Sequence, residues 1–311
     1  MPTWNELLDE LQKHTDPIEG QKWLQNYQND TIEKIRNSRK NTNIILYASA
    51  FLQKPQASAN LLSITYEDIN GFMSVMSGMD WSKGLTLILH TPGGITSAAE
   101  TIVEYLHSKF EYIEVIVPTF AMSAGTMISL ASDTIIMGRQ SQLGPIDTQL
   151  NIGGRPVSAR AIVDQFENAK NEILGDVRAA HIWAPILQSL GPALLQEARD
   201  QLEYGEKMVV RWLAKRMFKS HPDPFANGSK VAEYFNICDL NKNHGRRIDR
   251  NEAKSQDLII ENLEDDQAFQ DAVLTLYHII TIIFEKTPAS KIILSSEKRL
   301  WVKNLGIPKF K

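Results

Sequence analysis

The residues with the clearest chemical potential lie in Phe120-Ala121-Met122-Ser123-Ala124-Gly125-Thr126. A strand expected to end at Pro118 leads into a helix beginning near Ser123, which puts a hydroxyl where unbonded helix amides favour negative charge. The small residues Ala121, Ala124 and Gly125 let another backbone or a substrate come close. The pattern A-x-S-x-G is a relative of the nucleophile elbow G-x-S-x-G, with alanine in place of the first glycine. The bland alternative is a tight helix–sheet contact that happens to contain a serine.

A second turn supports the chemical reading. Pro92-Gly93-Gly94 follows the apolar run Leu85–Leu89, at the carboxyl end of a strand, where ligands of open α/β sheets bind. An amide from Gly93-Gly94 and one from Ala124 can together hold the oxyanion of a tetrahedral acyl intermediate. His90 abuts this turn and either contacts the acyl group or substrate, or only caps the strand end.

Both turns require a mostly parallel sheet. Ile44–Tyr47, Leu85–Leu89, Ile113–Val117 and Thr134–Met137 read as strands, with helices between them, so right-handed βαβ crossovers follow. Ser97-Ala98-Ala99-Glu100 has the form of a capping box opening the helix after the Gly-Gly turn. Residues 1–42 read as a helical arm, with Trp4, Leu7, Leu8 and Leu11 on one face; 43–265 form the α/β domain; 266–311 are read as a helix and basic tail. The stretch 158–218 is helical, broken at Pro185 and Gly191-Pro192, and 219–250 reads as loop.

Composition narrows the functions. The 311 residues carry a net charge of −4, which argues against a polyanion-binding role and nucleic acid as partner. One cysteine, Cys238, cannot form an internal disulfide. No His-x-x-x-His or Cys-x-x-Cys spacing and no phosphate-binding loop occurs, so no metal, cofactor or ATPase is expected. The longest apolar run, Val273–Phe284, is short for a membrane span and reads as a buried helix; with no basic, apolar leader at Met1, the expected location is cytoplasmic.

His90-Thr91-Pro92-Gly93-Gly94, Ala121-Met122-Ser123-Ala124-Gly125-Thr126 and Leu143-Gly144-Pro145-Ile146-Asp147 together resemble the signature series of the Clp protease/signal peptide peptidase superfamily, in its serine dehydrogenase proteinase branch. The resemblance is specific over residues 43–150 and looser to about 263. It implies a ClpP/crotonase-like ββα spiral and a serine peptidase with Ser123 as nucleophile, Gly93, Gly94 and Ala124 around the oxyanion, and Leu143-Gly144 lining the substrate groove. It also implies a homo-oligomer acting on peptide or protein substrates, with any unfoldase supplied by a separate chain.

The base stays open. The Clp-type histidine after the serine is missing, since Met137-Gly138-Arg139-Gln140 stands there. Lys170 and Lys207 are the lysine candidates. His244, before Asn251-Glu252-Ala253-Lys254, resembles a histidine-containing segment of the family and is favoured, because an imidazole suits a base near neutral pH while a lysine needs burial. Asp147 orients the base or the substrate, or is a plain turn residue. Two rivals share the features: a crotonase-type acyl-CoA hydratase or thioesterase, and a non-catalytic scaffold.

Overall fold

Buried, largely apolar runs build the central sheet. The computed structural model describes residues 1–191, 193–236 and 245–306. They fall into two compact units, Met1–Leu143 with Ile248–Lys311, and Gly144–Arg247.

In the first unit, α1 (Trp4–Gln12) and α2 (Pro17–Ser38) precede β1 (Asn43–Ser49). After α3 (Ala59–Leu62) and α4 (Asp68–Met76) come β2 (Leu85–His90), α5 (Thr96–His107), β3 (Ile113–Val117), the two-residue β4 (Phe120–Ala121), α6 (Ala124–Leu130), β5 (Thr134–Met137) and β6 (Gln142–Leu143). Every residue of β1, β2, β3 and β5 is buried, as in strands covered on both faces. The parallel pairs β1–β2, β2–β3 and β3–β5 are those expected from alternating strands and helices.

The second unit holds the hairpin β7 (Gln149–Ile152) and β8 (Arg155–Ser158), followed by α7 (Ala159–Gly175), α8 (Ala180–Leu190), α9 (Leu194–Lys215) and α10 (Pro224–Asn236). Ala159, Ile162, Ala198 and Leu202 form its small core between α7 and α9. Pro185 does not break the chain but lies inside α8. That helix has no buried residue, so water can satisfy the carbonyl that a proline leaves without a donor. α10 runs through the region expected to be loop, burying Val231, Ala232 and Phe235. Its polar stretch Asn227-Gly228-Ser229-Lys230 hides the apolar face from a reading by composition.

The chain then returns to the first unit as α11 (Arg250–Ser255), β9 (Ile260–Asn262), α12 (Gln267–Lys286), β10 (Ala289–Ser295) and β11 (Leu300–Asn304). These complete a seven-stranded sheet in the order β11-β10-β1-β2-β3-β5-β9, parallel except where β10 meets β1 and β11. The expected helix-and-basic-tail ending is therefore a helix and a hairpin. Lys291, central in β10, interrupts the apolar run and disguises the strand.

A further expectation, the helical arm, changes, while the buried helix at Val273–Phe284 is found as α12. α1 and α2 are not an appendage: Leu7 and Leu24 pack on Ile279 and Ile282 of α12, while Ile32 and Ile35 enter the sheet core. α12 is long and apolar enough by composition to cross a membrane, but 56% of that stretch is buried within the fold, as in a core helix.

Candidate active site

Ser123 sits between β4 and α6 with φ 51° and ψ −117°. Positive φ is costly for a residue with a Cβ, by roughly 1–3 kcal/mol, and persists only where the surroundings fix it. They do so here. The Thr91 amide donates to Phe120 O at 2.9 Å, and Met122 N donates to Thr91 O at 3.1 Å, tying the elbow to the end of β2. Gly125 N donates to Met122 O at 2.8 Å and the Thr126 hydroxyl to Ala121 O at 2.7 Å, closing the turn from the helix side. A side chain at Gly125 would lie 2.5 Å from the Thr91 methyl, so glycine allows this close approach. Ser123 is half-buried, and its hydroxyl makes no hydrogen bond among the described residues.

The Gly-Gly turn lies directly against the elbow. A Cβ on Gly93 (φ 101°) would fall 2.6 Å from Met122 O, 2.7 Å from Ser123 Cβ and 3.1 Å from Ala124 N. Its own amide donates to the Thr91 hydroxyl at 3.1 Å, so it is already committed. Gly94 differs: it is exposed, and its N–H makes no hydrogen bond among the described residues. Ala124 N opens α6, where helix amides have no partner within the helix. Of the three expected oxyanion donors, Gly94 and Ala124 thus carry available N–H groups, while Gly93 contributes by letting the backbones meet. The seven-residue α6 is short, so these local N–H groups matter more than a helix dipole.

The segment at Ile64 braces the turn: Ile64 N donates to Gly93 O at 2.8 Å, and Ile95 N donates to Ile64 O at 2.9 Å. This fixes Ile95 as the cap of α5, so the helix opens at Thr96 and the expected capping box at Ser97 does not form. The Ser97 hydroxyl instead meets the Tyr66 hydroxyl at 2.6 Å. Behind the brace, the Lys291 ammonium donates to Asp68 Oδ1 at 2.6 Å and to Ser63 O at 3.0 Å. Asp68 Oδ2 accepts from Thr65 N at 2.8 Å and from the Tyr47 hydroxyl at 3.1 Å. Both charges are buried, at 1% and 0% exposure. Burial and the Asp68 charge hold the Tyr47 hydroxyl well above its ordinary pKa. Sequence reasoning passed over this clasp, although a lysine within a strand-like apolar run was its signal.

His90 is enclosed rather than open to a substrate. Only 2% of it is exposed; Nδ1 lies 2.9 Å from the Thr119 hydroxyl, and Nε2 is buried without a hydrogen-bond partner. Phe51, Phe120 and Tyr277 surround the ring at centroid distances of 5.0, 6.0 and 5.0 Å. Desolvation pushes its pKa down to about 3, so the imidazole is neutral at ordinary pH.

The Leu143 side chain is fully buried, and its N–H and C=O both pair with Ile248 at 2.9 Å, so neither group is free to pair with a bound peptide. Gly144 and Asp147 belong to the second unit, where Asp147 is buried. Lys170 and Lys207 are exposed there, paired with Glu167 and Glu203; neither has the burial a lysine base relies on. His244 lies outside the described residues.

A mostly parallel sheet that sets a strained serine elbow against a Gly-Gly turn is an α/β architecture. The sequence profile of the ClpP-like SDH-type serine proteinase family matches residues 16–182, more than half of the chain, and the chain belongs to that family. Two relatives are uncharacterized proteins of Methanocaldococcus jannaschii. One is 40% identical over 117 residues, covering 37% of this chain and 41% of its own length. The other is 38% identical over 87 residues, covering 28% and 30%. The matches thus span less than half the length of these curated relatives. Among solved structures, two variants of a 1510-N membrane-bound stomatin-specific protease align at TM-scores of 0.39 and 0.40. Their sequence identities are 17% and 16%, over 64% and 78% of this chain and 75% and 83% of theirs; the second holds a substrate peptide.

Proposed function

We propose that this chain is a serine peptidase in which Ser123 Oγ attacks the carbonyl carbon of a peptide bond. A base takes the hydroxyl proton as the C–O bond forms, and the Gly94 and Ala124 amides hold the oxyanion. Collapse of the tetrahedral intermediate breaks the C–N bond, with the proton passing to the leaving amine. Water, activated by the same base, then hydrolyses the acyl-enzyme. The base is His244, since an imidazole needs no burial to act near neutral pH. Peptide substrates and a homo-oligomeric assembly belong to the same proposal and rest on family membership.

The carrying observation is the positive φ of Ser123 against Gly93, because backbone strain of this kind is kept where a side chain must be presented. A crotonase-type acyl-CoA enzyme would use the amides but not the hydroxyl. Labelling of the full chain by a fluorophosphonate probe tests the reading. Ser123 is expected to be modified, Ser123→Ala not at all, and His244→Ala far more slowly than Lys170→Ala or Lys207→Ala. No labelling of folded protein would refute the nucleophile and leave the acyl-CoA enzyme or a scaffold.

A further inference from the structure

A groove remote from these residues in sequence has no part in this chemistry. It opens where α1, α2 and the end of α12 stand beside the outermost strands β10 and β11, and it has a volume of about 780 Å³, within the usual range for ligand sites. The hairpin supplies one face: Ile292, Leu294, Leu300 and Val302 line the groove. Lys303 turns the other way, to Glu67. Leu8 and Leu24 add apolar surface from the helices, and Gln21, Gln25 and Gln28 add neutral amides at helical spacing on α2.

The charges are one-sided. Lys286, Lys298 and Arg299 line the groove and no carboxylate does, although acidic residues outnumber basic ones in the chain; Glu285 and Glu297 are neighbours in sequence but not part of the lining. Lys286 and Lys298 form no ion pair among the described residues, and Arg299 donates only its Nε, to Ser77 O at 2.6 Å. Lys286 marks the end of α12, just before β10, and Lys298 and Arg299 mark the turn after it. The seven residues of β10 separate these positions by roughly 20 Å.

From this apolar channel with cations and no anions we propose that the groove binds a free long-chain carboxylate, with its tail along β10 and β11 and its head at Lys298 and Arg299. The Lys286 end suits the head less well, because the carbonyls closing α12 repel an anion. A second copy of the chain is the competing occupant.

The test is isothermal titration calorimetry on the full chain carrying Ser123→Ala, which makes it independent of any hydrolysis. Palmitate below its aggregation concentration is compared with butyrate and with methyl palmitate. Saturable 1:1 binding of palmitate is expected, with butyrate weaker by well over about 100-fold and the ester about tenfold weaker. Lys298→Glu with Arg299→Glu, on the exposed turn, is expected to weaken palmitate at least about tenfold, and Gln25→Trp, at an exposed lining position, to block it with an unchanged melting temperature. Absence of saturable binding, or equal binding by the charge-reversed variant, overturns the proposal. So does sedimentation showing that the parent is an oligomer which Gln25→Trp dissociates, for the groove would then be a self-interface.

Discussion

Acid should unfold this protein partly through one imidazole. His90 is enclosed by Phe51, Phe120, Tyr277 and Thr119, none of them charged, and its pKa is pushed down to about 3 by burial. In the unfolded chain it titrates near 6.5. Above pH 6.5 neither state binds the proton, and the stability is fully present. Between 6.5 and 3 only the unfolded state binds it, so stability falls by about 1.4 kcal/mol per pH unit as pH drops. From pH 7 to 4.5 the loss is about 2.5 kcal/mol, approaching 5 kcal/mol across the whole window. His90→Gln keeps a polar partner for Thr119 but cannot titrate. Urea unfolding of both proteins at pH 7 and pH 4.5 isolates the term, because the contributions of other groups, including His278 with its burial-lowered pKa, cancel in the comparison. The variant should be less stable than the parent at pH 7 and lose about 2.5 kcal/mol less on acidification. Identical pH dependence would refute the enclosed, neutral imidazole.

Other substitutions probe the elbow and its supports. Ser123→Gly removes the strain at φ 51° and, after the entropy cost of glycine, should raise unfolding stability by about 1 kcal/mol while ending fluorophosphonate labelling; a loss of stability would show that the elbow is relaxed. Gly93→Ala must place a methyl 2.6 Å from Met122 O, so labelling should vanish and stability should fall by roughly 2 kcal/mol or more, read by chemical denaturation. Lys291→Met leaves the Asp68 carboxylate buried without its cation and should cost about 3–5 kcal/mol. Adding Asp68→Leu should recover much of that loss, and a further drop in the double variant would contradict the pairing.

The sheet was legible where burial on both faces made a short strand predominantly apolar, with a single polar residue such as Glu114 or Thr134. Ile113–Val117 and Thr134–Met137 match the expected strands residue for residue. The hydroxyl-bearing turn and the Gly-Gly turn were legible because glycine and alanine mark where backbones touch. Three things escaped the reading. β10 was hidden by Lys291, a charge whose partner Asp68 lies 223 residues away. The start of α5 was decided by the Ile64–Ile95 backbone bond rather than by the local Ser97–Glu100 pattern. Commitment of the Gly93 amide to Thr91 depends on a side-chain rotamer that no spacing rule reports. Sequence periodicity records what an element buries, and not which distant atom claims a given hydrogen bond.

The clasp through Lys291 has a consequence for biosynthesis. The elbow and the Gly-Gly turn lie in the first half of the chain, yet the cation securing Asp68 and Ser63 is translated near its end. A ribosome-bound chain ending at residue 288 should therefore fail to react with the fluorophosphonate, and reactivity should appear once β10 has emerged. The order of synthesis would thus set the moment at which the brace behind the Gly-Gly turn closes.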